Sequence, residues 1–219
     1  MIALFWDIDG TLLTTGRAGV FALEDALDEV FGVRFDLMAE KLPSGLTEHD
    51  VAAAVFALAG VDADEEQTDR FIRAYERALP ASLPRREGRV LPGVREILED
   101  FASRDDVKSF LLTGNTPAGA RAKLAHYGLD GFFDDGAYCI GPEPRAEIAR
   151  RAVQLAPDAD ERYVIGDTPH DIEAAKAIGA HAIALATGGF SVDELAAHDP
   201  WRVLETLPPP AEFSALLVP

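Results

Sequence analysis

The stretch LFWDIDGTLLTTG, residues 4–16, constrains the fold more than any other part of the chain. Leu4, Phe5 and Trp6 are apolar without alternation, which suits a strand buried on both faces, as in the middle of a parallel sheet. The run ends in two acids, Asp7 and Asp9, separated by Ile8. Carboxylates at the end of a buried strand are costly unless something compensates them. Gly10 then lets the backbone leave the strand in a tight turn. Because the acids are two residues apart, ideal strand geometry predicts that they face the same side.

From Gly16 to about Arg89 there is no strand pattern. RAGVFALEDALDEVF, TEHDVAAAVFALAG and DEEQTDRFIRAYERAL carry apolar residues at helical spacing. Thr47 is the N-cap candidate for the second, and Asp62 or Asp64 for the third. LPASLPRREGRVLPG, with Pro80, Pro84 and Pro92, reads as a linker. Beyond Gly93 the character changes. VREILEDFA, TPAGARAKLAHYG, EPRAEIARRAVQLA and TPHDIEAAKAIG read as helices, and VKSFLLTG, GAYCI, RYVIGD, HAIALATG and WRVLE as strands. LPPPAEF reads as a turn before a short tail. Alternating strands and helices imply α/β class, with a parallel sheet covered on both faces. The expected organisation is a Rossmann-like core, residues 1–15 and 89–219, with an inserted all-helical cap, residues 16–88.

In open parallel sheets, ligands bind beyond the carboxyl ends of the strands. Three strands here end in polar residues: Asp7 and Asp9; Thr113, Gly114 and Asn115; and Gly166 and Asp167, with Asp171 four residues on. If these strands are neighbours, four carboxylates and a hydroxyl share one crevice. Like charges so close need a counter-charge, and Mg²⁺ takes a few carboxylates plus waters and substrate phosphate. Aspartate is also an established covalent nucleophile in phosphoryl transfer. Asp7 and Asp9 would then divide the work, one attacking and the other moving the proton. Thr113 and nearby amides would donate to phosphate oxygens, helped by the helix N-terminus after Thr116 and Pro117.

Composition sets outer limits. The chain has 219 residues, with 38 acids against 20 bases and a net charge of −18. That balance argues against nucleic acid and anionic membranes as partners. Cys139 is the single cysteine, so no intrachain disulfide is possible; it reads as a small buried hydrophobe. The five histidines have no metal-ligand spacing. No targeting segment or membrane span is read, and a cytoplasmic protein, monomer or homodimer, is the default expectation.

DIDGTLL near the start, LLTGN in the middle and GDTPHDIEAAKAIG late in the chain resemble the haloacid dehalogenase superfamily of aspartate-nucleophile phosphohydrolases. LPGV, where the chain returns to the α/β core, resembles the phosphoglycolate phosphatase-like group. The resemblance implies that Asp7 attacks phosphorus and that Asp9 protonates the leaving alcohol and then activates water. It also implies that Thr113, with Gly114 and Asn115, binds the phosphoryl group. Mg²⁺ would be held by Asp7, the Asp9 backbone carbonyl and Asp167, with Asp171 in support. The substrate would be a small phosphorylated metabolite.

One motif departs from the family. A lysine is expected between the second and last motifs, but there is none between Lys123 and Lys176. Arg145 is the best placed substitute, with Arg150 and Arg151 as alternatives. The cap loop LPSGLTEHD either reaches the substrate or is an ordinary interhelical loop. The competing functions are a phosphomutase, which shares both acids, and a haloacid dehalogenase proper, which typically lacks the second acid. A catalytically inactive binding protein on the same fold is a further alternative. A phospho-accepting receiver domain is opposed by the N-terminal position of Asp7 and by the inserted helices.

Overall fold

A computed structural model describes residues 1–133 and 135–217. Six parallel strands form the main sheet: β1 (Ile2–Trp6), β4 (Val107–Leu112), β5 (Gly136–Ala137), β6 (Glu161–Gly166), β7 (His181–Leu185) and β8 (Arg202–Leu204). Their order is β5-β4-β1-β6-β7-β8, so β1 lies between β4 and β6 and all three polar strand ends are neighbours. The unbroken apolar run of β1 is explained by burial on both faces. Leu4 and Trp6 enter one core cluster, with α4 (Val94–Ala102), α5 (Pro117–Tyr127) and the C-terminal α9 (Pro210–Leu216). Ala3 and Phe5 enter the opposite one, with α6 (Arg145–Ala152), α7 (Pro169–Ala177) and α8 (Val192–Ala196).

Between β1 and β4 the chain builds a helical cap from α1 (Gly19–Phe31), α2 (Glu48–Ala59) and α3 (Glu65–Ser82). These helices bury their apolar stripes against each other in a third cluster that includes Leu23, Leu27, Val55 and Phe71. Phe56 meets Phe71 edge-on, with ring centroids 4.9 Å apart. Thr47 caps α2 by accepting from the Asp50 amide. Asp64, rather than Asp62, caps α3 in a reciprocal box with Gln67. Where the chain leaves and re-enters the core, β2 (Leu13–Thr14) and β3 (Arg89–Val90) pair antiparallel.

Two expectations are corrected. The linker does not begin at Leu79, because α3 runs through Pro80 to Ser82; a proline so near a helix end removes only one hydrogen bond of the last turn. The tail is not a bare turn. Pro209 and Pro210 open α9, whose Phe213 is fully buried against Trp6 and Phe101, with centroids 5.8 and 5.9 Å away. Tyr163 donates to the Leu217 carbonyl at 2.7 Å and pins the helix end. Among the described residues no helix is long and apolar enough to cross a membrane.

The tail should therefore belong to the cooperative core. Phe213→Ala is expected to cost about 3–5 kcal/mol, read as a lowered urea midpoint at unchanged slope. A loss below about 1 kcal/mol would show that α9 only decorates the surface.

Candidate active site

The three strand ends open onto a cavity of about 450 Å³ between core and cap, lined among others by Asp7, Asp9, Gly114, Asn115, Lys123, Arg145 and Asp167. Asp7 follows directly on β1 and is 4% exposed. Its Oδ1 lies 2.7 Å from Nη2 of Arg145, and the same nitrogen donates to Asp171 Oδ1 at 2.6 Å. Arg145 is the first residue of α6 and is itself buried, so one guanidinium bridges the acids following β1 and β6. Arg150 and Arg151 pair with Glu147 and Glu143 instead.

Asp9 does not face the same partners as Asp7. Its Oδ2 accepts from Lys123 Nζ at 2.6 Å and from Asn115 Nδ2 at 2.9 Å, both on the α5 side. The strand stops at Trp6 and Gly10 turns with φ +80°, so two-residue alternation no longer governs where Asp9 points. Lys123 is a site residue that the motif comparison passed over. It lies seven residues after the N-cap Thr116, two helical turns along the same face of α5, and that spacing was legible. Its amine also donates to Asn115 Oδ1 at 2.6 Å.

Thr113 is fully buried, and its Oγ1 accepts from Asn115 Nδ2 at 2.8 Å. The cavity wall at this motif is formed by Gly114 and Asn115. The cap reaches the same motif. The Glu48 amide donates to the Gly114 carbonyl at 2.9 Å, and Glu48 Oε2 accepts from the Thr116 amide at 2.8 Å. Thr116 Oγ1 donates to Glu76 of α3 at 2.5 Å. The loop LPSGLTEHD thus lies on the crevice, and Thr47 serves as its helix cap as well.

Oxygens of Asp7, Asp167 and Asp171 lie within 4.8 Å of one another, all three residues buried. The Asp9 carboxylate is outside this group. Asp171 Oδ2 accepts from the amide and hydroxyl of Thr168 at 3.1 and 2.8 Å, which fixes the start of α7. Asp167 receives a long hydrogen bond from Thr11 at 3.3 Å. Its carboxylate fits only because positions 10 and 188 are glycine. A Cβ there would come within 2.4 and 1.7 Å of Asp167 Oδ2.

Electrostatics follow from this crowding. Burial pushes Asp7 up to about 6; Arg145 opposes the rise, while Asp171 and Asp9 add to it. Burial pushes Asp167 up to about 9, with Asp171 and Asp7 adding to the effect. Burial alone would lower Arg145, yet Asp171 and Asp7 hold it well above its ordinary value. Burial would also lower Lys123, but Asp9 and Glu48 reverse the direction. One arginine cannot neutralise three acids, and their donors are hard oxygens. The cluster therefore fits a small divalent cation such as Mg²⁺.

The model of the haloacid dehalogenase-like hydrolases matches residues 1–179. The Dickeya dadantii (strain 3937) protein named "Probable phosphatase IndB" is 30% identical over 208 residues, covering 93% of this chain and 89% of that protein. A Rhodospirillum rubrum protein named phosphoglycolate phosphatase is 29% identical over 199 residues, covering 85% and 80%. Among solved structures, a hydrolase from Pseudomonas syringae superposes with a TM-score of 0.72 at 23% identity, covering 99% and 98% of the two chains. CbbY from Rhodobacter sphaeroides, in complex with phosphate, superposes with a TM-score of 0.72 at 20% identity, covering 93% of each. At such identities the superpositions speak for the fold, whereas the family match spans the motifs themselves. The chain belongs to the haloacid dehalogenase-like hydrolases.

Proposed function

We propose that the chain is a Mg²⁺-dependent phosphatase that hydrolyses a small phosphate monoester through an aspartyl phosphate on Asp7. The observation that carries this reading is a pair of carboxylates at one cavity floor, each with its own buried cation: Asp7 with Arg145 at 2.7 Å and Asp9 with Lys123 at 2.6 Å.

In this reading an Asp7 oxygen attacks phosphorus while the P–O bond to the leaving alcohol breaks. Arg145 holds the attacking carboxylate and lowers its repulsion toward the phosphate dianion, a task its permanently charged planar head suits. Asp9 supplies the proton that the leaving oxygen needs, then takes one from the water that hydrolyses the aspartyl phosphate. Lys123 and Asn115 occupy Asp9 Oδ2, so Oδ1 is the atom left for that exchange. The Gly114 and Asn115 wall would orient the phosphoryl oxygens, with Thr113 holding Asn115. Asp7, Asp167 and Asp171 would hold the metal, which supplies positive charge against the clustered oxygens. The helical cap, residues 16–88 in this proposal, excludes bulk water and bulky esters. Asp9 also weighs against a haloacid dehalogenase proper, whose attack on carbon needs no proton for an alcohol.

The acid cluster makes stability depend on pH and metal. Asp7 and Asp167 bind protons more tightly in the folded chain than in the unfolded one, from an ordinary 3.8 up to about 6 and about 9. Their contribution is complete below the ordinary value and is lost as pH rises through the folded values. Metal-free protein should melt at lower temperature as pH rises from about 5 to about 9. Asp167→Asn should flatten that slope, and Mg²⁺ should raise the melting temperature most at the alkaline end. A slope unchanged in Asp167→Asn would refute the cluster as its source.

Chemistry is tested by release of inorganic phosphate, which also separates a hydrolase from a phosphomutase. Asp7→Asn should lower the rate by at least about a thousandfold with the fold intact. Arg145→Ala should lower kcat by about 10²–10³, and Arg145→Lys should recover part of it. Chelation should abolish turnover and Mg²⁺ restore it. Asp7→Asn retaining a tenth of the wild-type rate would refute the nucleophile.

A further inference from the structure

Three basic residues line the cavity among the described ones, and they are not alike: Arg17, Lys123 and Arg145. Arg145 lies 2.7 Å from Asp7 and 2.6 Å from Asp171, and Lys123 lies 2.6 Å from Asp9. Arg17 bonds only backbone carbonyls. Its Nη1 donates to Met38 at 3.1 Å, and its Nη2 donates to Leu37 and Glu40 at 3.2 and 2.6 Å. These acceptors are neutral, so they fix the guanidinium without cancelling its charge. Glu24, an acid beside this loop, accepts from the Met38 amide at 3.2 Å and stands outside the cavity lining. A guanidinium has five N–H groups. Three are engaged here, which leaves Nε and one hydrogen of Nη1 for a further acceptor.

The backbone under Arg17 is unusual as well. Its φ is +67°, in the left-handed region where glycine is the ordinary occupant. A long side chain standing where a glycine would be less strained marks a task for its head group. Holding the 3₁₀ turn Leu37–Ala39 needs only N–H donors, whereas a permanent charge facing a cavity can do more.

Position sets the length of the ligand. Asp7 and Arg145 are buried, whereas Arg17 is exposed, as are its bonds to Met38 and Glu40. The guanidinium therefore stands at the mouth of the cavity, and the phosphoryl group in reach of Asp7 lies at its floor. A volume of about 450 Å³ suits a ligand of ring size or longer. Val20, Leu23, Leu42, Phe71 and Tyr75 make much of the wall apolar. The acids Asp9 and Glu48 are turned toward α5, where Lys123 and the Thr116 amide hold them. In a chain of net charge −18, an uncompensated cation at the mouth also favours the entry of an anion.

We infer that Arg17 is a specificity-determining residue whose guanidinium receives a second oxyanion, a carboxylate or phosphate at the far end of the leaving alcohol. This inference rests on the phosphatase reading above. The ester it selects is charged at both ends with an apolar body between them. Such a leaving group is longer than the two-carbon acid of phosphoglycolate, the ester in a relative's name.

The test varies the far end of the ester and the charge at position 17. Benzyl phosphate, 4-carboxybenzyl phosphate, 1,4-bis(phosphooxymethyl)benzene and phosphoglycolate are assayed for phosphate release by the Mg²⁺-loaded protein. The two esters with a far anion should exceed benzyl phosphate in kcat/KM by at least about fivefold, mainly through KM. The better of the two identifies the anion as carboxylate or phosphate. Arg17→Gly removes the charge and the strained φ together and should bring these ratios close to one. Arg17→Gln, which keeps donors for the loop carbonyls, should do the same, and Arg17→Lys should restore part of the preference. Phosphoglycolate should depend on Arg17 less than the longer esters do. Calorimetry with Asp7→Asn should give the same order for binding of the intact esters, and adding Arg17→Gln should erase it. No preference for the far anion, or a preference that survives Arg17→Gln, would overturn the role of Arg17 and leave the phosphatase reading standing. Phosphoglycolate losing as much as the longer esters would overturn the far-end placement. Absence of any turnover that Asp7→Asn abolishes would overturn both readings.

Discussion

The bridge from Arg145 to Asp7 and Asp171 is the contact on which the rest of the site depends. Three buried acids meet beyond β1 and β6, and alone they would repel one another in a poorly solvated pocket. Arg145 draws two of them to one nitrogen and makes their closeness tolerable. It remains short of neutrality, so the three acids could hold a metal ion as well. An arginine suits the position because it stays charged when buried and its fork reaches two carboxylates at once. Removing one member of such a buried group leaves the others uncompensated, which is far costlier than the net worth of the intact arrangement.

A second charge pair divides the site. Lys123 and Asn115 draw Asp9 toward α5, while Asp7 stays with α6 and α7. The two acids line one cavity but have separate neighbours. Separate surroundings are what the proposed division into nucleophile and proton carrier requires of two identical side chains.

The cap is tied to this machinery at the same places. Glu48 closes onto the Gly114 carbonyl and the Thr116 amide, Glu76 onto the Thr116 hydroxyl, and Arg145 Nη1 reaches the Gly45 carbonyl at 3.4 Å. Gly45 and Gly114 are required here because a side chain at either would strike Thr168 or the Leu46 carbonyl at 2.6 Å. The loop from Leu42 to Glu48 therefore rests on the motif whose Gly114 and Asn115 line the cavity.

By itself the sequence determined what local pattern can carry. The unbroken apolar run before Asp7 required a strand covered on both faces, and helical spacing from Arg17 to Leu79 required amphipathic helices packed on one another. The position of acids after strand ends required a crevice there, since carboxylates cannot lie inside a sheet. Arg145 was legible because a charge was missing from the pattern and few bases lay in the right interval. Tertiary structure decided what depends on contact between distant segments. Asp9 lines the same cavity as Asp7 but with a partner of its own, because the strand had ended and Lys123, 114 residues away in sequence, was within reach. Glu48 gained its role through the N-terminus of α5, on the far side of the inserted helices. Phe213 turned a proline-rich tail into part of the core by reaching Trp6. Period and propensity act within a few residues along the chain, whereas charge pairing and close packing act through space. No local pattern states which distant side chain will be near.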